Sequence, residues 1–152
     1  MDAGGGTNRR LRIDINGAVQ GVGFRPYVFS LATRLGLGGY ILNEPSGVEI
    51  EIEGTPNAVE AFLSHLQQSP PPLARIQSVQ TRQMPPQGEK SFSIRPSSSY
   101  GSRTTLLAPD QGTCDECLRE INDPQDRRYR YSFTNCTNCG PRYTIIHDVP
   151  YD

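Results

Sequence analysis

Between Leu11 and Leu35 the spacing of apolar residues changes from two to three and four. The change falls across one glycine-rich stretch, Gly17-Ala18-Val19-Gln20-Gly21-Val22-Gly23-Phe24-Arg25. Before it, Leu11, Ile13 and Ile15 alternate with Arg12, Asp14 and Asn16, the period of a strand with one buried face. After it, Phe24, Val28, Leu31, Ala32 and Leu35 form one helical face. Pro26 sits in the first turn, where a missing N–H is tolerated. A strand must therefore turn directly into a helix. Glycines at such a junction let backbone N–H groups point inward above the positive end of the helix, so the stretch suits a phosphate. Arg25 adds a planar fork that matches phosphate oxygens. No Gly-Lys-Ser/Thr follows, which argues against a Walker-type nucleotide loop. Taken alone, the same residues also fit a tight connection followed by a solvated arginine.

Further along, Gly36 to Gly39 stop the helix. Tyr40 to Asn43 read as a second strand that turns through Glu44-Pro45-Ser46-Gly47 into Val48, Ile50 and Ile52. Glu49, Glu51 and Glu53 alternate with these and predict a solvated acidic face. Thr55-Pro56 has the form of an N-cap and first-turn proline, and Val59, Phe62, Leu63 and Leu66 build a second helix ending before Pro70. His65 falls on its exposed side. A weaker strand covers Ile76 to Arg82, and Phe92 and Ile94 supply a short edge strand. The order predicts an α/β (α+β) fold, a ferredoxin-like βαββαβ sandwich with both helices on one face. Right-handed crossovers put the first and third strands side by side and bring the hairpin tip to the glycine loop, so that Asn43 approaches Arg25. By composition alone Asn43 reads as a turn residue. We take residues 1–8 as a flexible tail, 9–95 as this domain, 96–105 as a polar linker and 106–152 as a small second module.

That second module has few periodic apolar runs, and it holds all four cysteines of the 152 residues. They form two Cys-x-x-Cys clips, Cys114/Cys117 and Cys136/Cys139, eighteen residues apart. Two thiolate clips complete a tetrahedral shell, so the pattern predicts structural zinc rather than disulfides or a redox pair. The N-terminus has no apolar signal core and no later run is long enough to span a bilayer, so a soluble, cytoplasmic protein without a membrane partner is expected. A net charge of −1 makes nucleic acid an unfavoured partner. Arg127-Arg128-Tyr129-Arg130-Tyr131 can still contact RNA, or form a solvated ribbon strand whose tyrosines pack on the zinc module. His147 is not needed as a ligand.

Two resemblances extend this reading. Gly17 to Arg25 resembles the acylphosphatase signature, and the order of strands and helices is similar to that fold. The resemblance implies that Arg25 binds a phosphoryl group together with the amides of Gln20, Gly21, Val22, Gly23 and Phe24. It also implies that Asn43 positions the attacking water. Asp123-Pro124, Arg127-Arg128-Tyr129, Phe133 to Cys136 and Cys139-Gly140-Pro141-Arg142-Tyr143 resemble the zinc-finger region of the HypF family, carbamoyltransferases of nickel–iron hydrogenase maturation. That family implies an acylphosphatase-like domain that cleaves carbamoyl phosphate. It further implies later domains, absent from this chain, that use ATP to pass the carbamoyl group to a cysteine of the partner HypE. The missing second set of clips suggests an N-terminal segment of a longer polypeptide. The spacing leaves open whether the four cysteines share one metal or pair across the missing region. A general acylphosphatase, and a zinc ribbon that binds RNA or protein beside an inactive scaffold, are the alternative functions.

Overall fold

A computed structural model describes residues 7–104, 106, 112–131, 134 and 136. The chain runs β1 (Arg9–Ala18), α1 (Phe24–Arg34), β2 (Gly38–Glu44), β3 (Gly47–Gly54), α2 (Pro56–Gln68), β4 (Arg75–Met84), β5 (Phe92–Ile94) and α3 (Asp115–Asn122). The five strands form one sheet in the order β4-β1-β3-β2-β5. The pairs β1–β3, β1–β4 and β2–β3 are antiparallel, and β5 lies parallel to β2 at the edge. The βαββαβ core and the adjacency of β1 and β3 follow the expected order.

One sheet face is apolar. Leu11, Ile13 and Ile15 of β1 pair in register with Ile52, Ile50 and Val48 of β3, and each is at most 3% exposed. Phe24, Val28 and Leu31 of α1 and Val59, Phe62 and Leu66 of α2 close over this face. The 3.6-residue period of each helix makes those positions one stripe. Complete burial of Phe62 contributes on the order of 2 kcal/mol. Both helices are punctuated as the residues suggest. Thr55 Oγ1 accepts the Ala58 N–H at 3.3 Å, with Pro56 in the first turn. Gly36, past the end of α1, takes a left-handed φ of 67°.

The opposite face overturns the expectation of a solvated acidic surface: Glu49, Glu51 and Glu53 are 6%, 7% and 1% exposed. Arg12, Tyr40 and Arg10 cover Glu49 and Glu51, and the segment after β4 folds back over Glu53 and Arg10. Arg10, 2% exposed, donates to Glu51 Oε2, Glu53 Oε2 and Glu89 Oε2, each at 2.9 Å. Glu53 also accepts the backbone N–H groups of Gln87 and Gly88 at 2.7 Å. Burial works against the carboxylate of Glu53, yet those N–H groups and Arg10 hold its pKa below the usual range. Burial likewise opposes the charge on Arg10, and its bonds to Glu51 and Glu53 more than compensate, so its pKa is raised. Tyr40 donates to the Glu49 and Glu51 carboxylates, and burial and these bonds together raise its pKa. Alternation in β3 thus marks two buried faces, one packed by helices and one by ion pairs.

The polar stretch beyond Arg95 is also held. The Arg95 N–H donates to Ile41 O at 2.8 Å, that of Ser98 to Asn43 O at 2.8 Å and that of Thr104 to Pro45 O at 2.9 Å. Residues 127–130 form turns rather than the ribbon strand weighed above. Arg130 has φ 59°, and Tyr129 and Tyr131 are 39% and 54% exposed instead of packed. A short local bond, Arg130 N–H to Ile121 O, ties this turn to α3. His65 is exposed on α2 as expected, and His147 lies outside the described residues.

Candidate functional site

The junction between β1 and α1 begins at an irregularity. Pairing of β1 with β4 shifts register between Asn16 and Gly17, and Gly17 takes φ 137° with its backbone against Arg75. A Cβ at this position would stand 2.0 Å from Arg75 O, so only glycine fits. Gly21 and Gly23 then adopt left-handed φ values of 68° and 75°, which curl the loop before α1. Gly23 is the N-cap of that helix. It has no side chain to satisfy the first-turn N–H groups, and no acidic residue stands in that turn. Val22 and Phe24 are 3% and 2% exposed and fix the loop from within. Arg25, the second residue of α1, is half-buried beside this loop. A loop of this form concentrates amide donors and helix-end charge, the requirements of an anion cradle.

Asn43 lies at the same end of the sheet. Ile15 pairs with Val48, and Val48 pairs with Asn43, so one row crosses β1, β3 and β2 where the glycine loop departs. The row is on the helix-covered face, and Asn43 is 1% exposed. Buried in this way, it is part of the sheet's end and no ordinary turn residue. Gln20 makes the link explicit. Its Nε2 donates to Glu44 O at 2.6 Å and Gly47 O at 2.7 Å, the two carbonyls that flank the hairpin turn. The Gln20 side chain therefore holds the hairpin to the loop, and its backbone remains with the cradle. Nothing in its one-dimensional context distinguishes this role.

On the other face beneath the hairpin, carboxylate oxygens of Asp14, Glu44 and Glu49 lie within 4.8 Å of one another. Arg12 bonds Asp14 at 3.1 Å and Glu49 at 2.9 Å. Burial, followed by a hydrogen bond and repulsion from Glu49, pushes the Glu44 carboxyl up to about 7. Glu44 points away from Asn43, as successive strand residues do. Its titration therefore bears on the hairpin from behind.

The cysteine region is organised by α3. Cys114 is its N-cap, and Cys117, one turn on, is fully buried. The Sγ atoms of Cys114, Cys117 and Cys136 all lie within 4.8 Å of one another, and Cys114 and Cys136 are 3.5 Å apart. Zinc–sulfur bonds of about 2.3 Å in a tetrahedron put sulfurs roughly 3.8 Å apart. The three thiols therefore fit a zinc site and are too far apart for a disulfide. Cys139 lies outside the described residues. The helix itself was not expected from the apolar pattern. Its signals are Asp115 and Glu116 in the first turn and Arg119 in the last, which complement the helix dipole.

The basic–aromatic run is partly neutralised, since Arg128 pairs with Glu120 at 2.5 Å and Arg130 stacks on Tyr129 at 5.2 Å. The adjoining cleft is lined by Glu116, Arg119, Glu120, Asp123 and Asp126, the wrong balance of charge for a phosphate backbone. Among the described residues no helix is long and apolar enough to cross a membrane.

Comparison with known proteins agrees with both regions. A family profile described as acylphosphatase matches residues 11–94, and one described as HypF finger matches residues 113–146. The HypF carbamoyltransferase of Synechocystis sp. is 44% identical over 144 residues, 95% of this chain and 19% of that protein. An acylphosphatase of Synechococcus sp. is 41% identical over 88 residues, 57% of this chain and 93% of that protein. A crystal structure of full-length HypF in a phosphate- and nucleotide-bound form superposes with a TM-score of 0.89 at 46% identity, covering 96% of this chain and 19% of that one. The chain thus spans about a fifth of the length of the HypF relatives it matches.

Proposed function

The chain belongs to the acylphosphatase family across residues 11–94 and carries a HypF finger behind that domain, and on this footing we propose that it binds and hydrolyses carbamoyl phosphate. In this reading it is the opening stage of a HypF-type carbamoyltransferase. Domains beyond this chain would use ATP to pass the carbamoyl group to HypE.

The observation that carries the proposal is the meeting of the Gln20 to Arg25 loop with buried Asn43 at one end of the sheet. An acyl phosphate is a mixed anhydride with a carboxylate-like leaving group, so no side-chain nucleophile is required. The amides of Gln20, Gly21, Val22, Gly23 and Phe24 hold the phosphoryl oxygens, and the Arg25 guanidinium balances their growing charge. Asn43 orients a water molecule toward phosphorus. The water oxygen bonds to phosphorus as the bond to the carbamate oxygen breaks; phosphate and carbamate leave, and the water's proton passes to solvent or phosphate. Cys114, Cys117 and Cys136, joined by Cys139, hold a zinc ion whose role is to brace a module poor in apolar residues. Metal analysis should return one zinc per chain; finding none alongside four free thiols would refute that assignment.

The functional test is hydrolysis of carbamoyl phosphate and benzoyl phosphate by the native chain, Arg25→Ala and Asn43→Ala. Each substitution should cost about 3 kcal/mol in the transition state, on the order of a hundredfold in kcat/KM. Native turnover in both folded variants would sink the assignment. The 41% identity to a single-domain acylphosphatase favours one second reading, a general acylphosphatase. Equal kcat/KM for the two substrates would select it.

A further inference from the structure

The backbone bonds beyond β5 form a pattern. On β2 and its turn, the acceptors Ile41 O, Asn43 O and Pro45 O are two residues apart and so point to one edge of the strand. Their donors, the N–H groups of Arg95, Ser98 and Thr104, come from a segment with no strand assignment beyond Ile94. The donors are three and six residues apart, so the segment follows the edge of β2 with two outward bulges. Gly101, with φ 124°, lies in the longer one. The segment is fixed at its start. The Arg95 guanidinium lies 3.6 Å above the Tyr40 ring and 3.6 Å from Glu89, both parts of the ion-paired face. The donors Arg95, Ser98 and Thr104 lie beyond residues 11–94, the span matched by the acylphosphatase profile.

We propose that residues 95–104 are a strap that positions Asn43 at the end of the sheet. The catalytic part rests on the function proposed above. An asparagine that orients water depends on its backbone being still, and β2 is one strand from the sheet edge only as far as β5 reaches. Beyond Ile41, the strap replaces β5 as the neighbour of β2. The hairpin is then held from both sides, by Gln20 from the loop and by Ser98 and Thr104 from the edge.

Proline substitution removes a backbone donor, and alanine keeps it. Ser98→Pro and Thr104→Pro should each lower kcat about tenfold with little change in KM, because Asn43 acts on water and the loop binds phosphate. Ser98→Ala and Thr104→Ala should match the native chain. Amide hydrogen exchange supplies a readout independent of activity. In the native chain the Ser98 and Thr104 amides should be protected, and in the proline variants exchange across Asn43 to Gly47 should accelerate. Rapid exchange of both amides in the native chain would overturn the strap without any variant. So would native kcat and native exchange in a folded proline variant. If the native chain hydrolyses no acyl phosphate, the functional reading fails, and protection of the two amides with faster hairpin exchange in the proline variants still supports the strap.

Discussion

Along β3 both faces of the sheet are buried, by opposite means. On one, Ile13, Ile50 and Ile52 pack beneath α1 and α2. On the other, Arg10, Glu51 and Glu53 are as inaccessible, covered by the chain between β4 and β5 and joined by charge-assisted bonds. The apolar face is stabilised by what it removes from water, and any side chain of the right volume does this. The charged face is stabilised only while each charge keeps its partner. A sheet that cannot recruit a second layer of helices can therefore still close its outer face, with a loop that brings its own hydrogen-bond donors. The cost is a strict dependence on geometry.

The contrast is sharpest when one member is removed from each face. Arg10→Ala should destabilise by about 4 kcal/mol, because it strands the buried Glu51 and Glu53 carboxylates. Phe62→Ala should cost a similar amount through its cavity. Chemical denaturation of both variants measures this. A loss below about 1 kcal/mol for Arg10→Ala would mean that the charged face is open to water. A milder change then separates the two mechanisms. Replacing the whole cluster, with Arg10→Met, Glu51→Leu and Glu53→Leu together, should cost about 2 kcal/mol, less than Arg10→Ala alone, the remainder coming from the Gln87 and Gly88 N–H groups that lose Glu53 as their acceptor. The single loss is expensive because it strands buried carboxylates, and this variant removes both Glu51 and Glu53.

The smallest effect comes from Glu44, at the border between the charged face and the hairpin. Its carboxyl is raised from 4.5 to about 7, so the folded state holds a proton that the unfolded state releases. That contribution is fully present below about pH 4.5 and disappears as pH rises through about 7. Because Glu44 is only partly buried, solvent screening limits it to about 1 kcal/mol. Unfolding measured from pH 5 to 8 should show stability falling with pH, and Glu44→Gln should flatten that slope. An unchanged slope in the variant would assign the titration elsewhere. Glu53, whose pKa is lowered, works in the opposite sense and loses its contribution as the pH falls.

Much of this was legible along the chain. The strands and helices declare themselves because each has one apolar face with its own period, and Thr55, Pro56 and Gly36 mark helix ends by local chemistry. The glycine loop was equally plain, since Gly21 and Gly23 are needed for left-handed backbone that other residues resist. The cysteine clips announced themselves by spacing, and the structure brings Cys114, Cys117 and Cys136 together. The fate of the glutamates in β3 was not legible. Alternation of Glu with Val and Ile says that two faces differ, and the same pattern serves for water and for a buried arginine forty-one residues away. The grip of Gln20 on the hairpin and of Ser98 on Asn43 was hidden for a related reason. Both act on backbone carbonyls, which every residue carries.

By itself, the sequence determined the elements, their order, the anion-suited loop and the thiolate clips, because periodicity, φ preference and ligand type are properties of neighbouring residues. Only the tertiary structure decided that the acidic face is closed and that Asn43 is buried in the row leading to the loop. It alone showed that the polar stretch after β5 lies along the hairpin that carries Asn43. These outcomes depend on pairs of groups far apart in the chain, whose meeting is set by the register of the sheet and by the requirement that buried charges and backbone groups find partners.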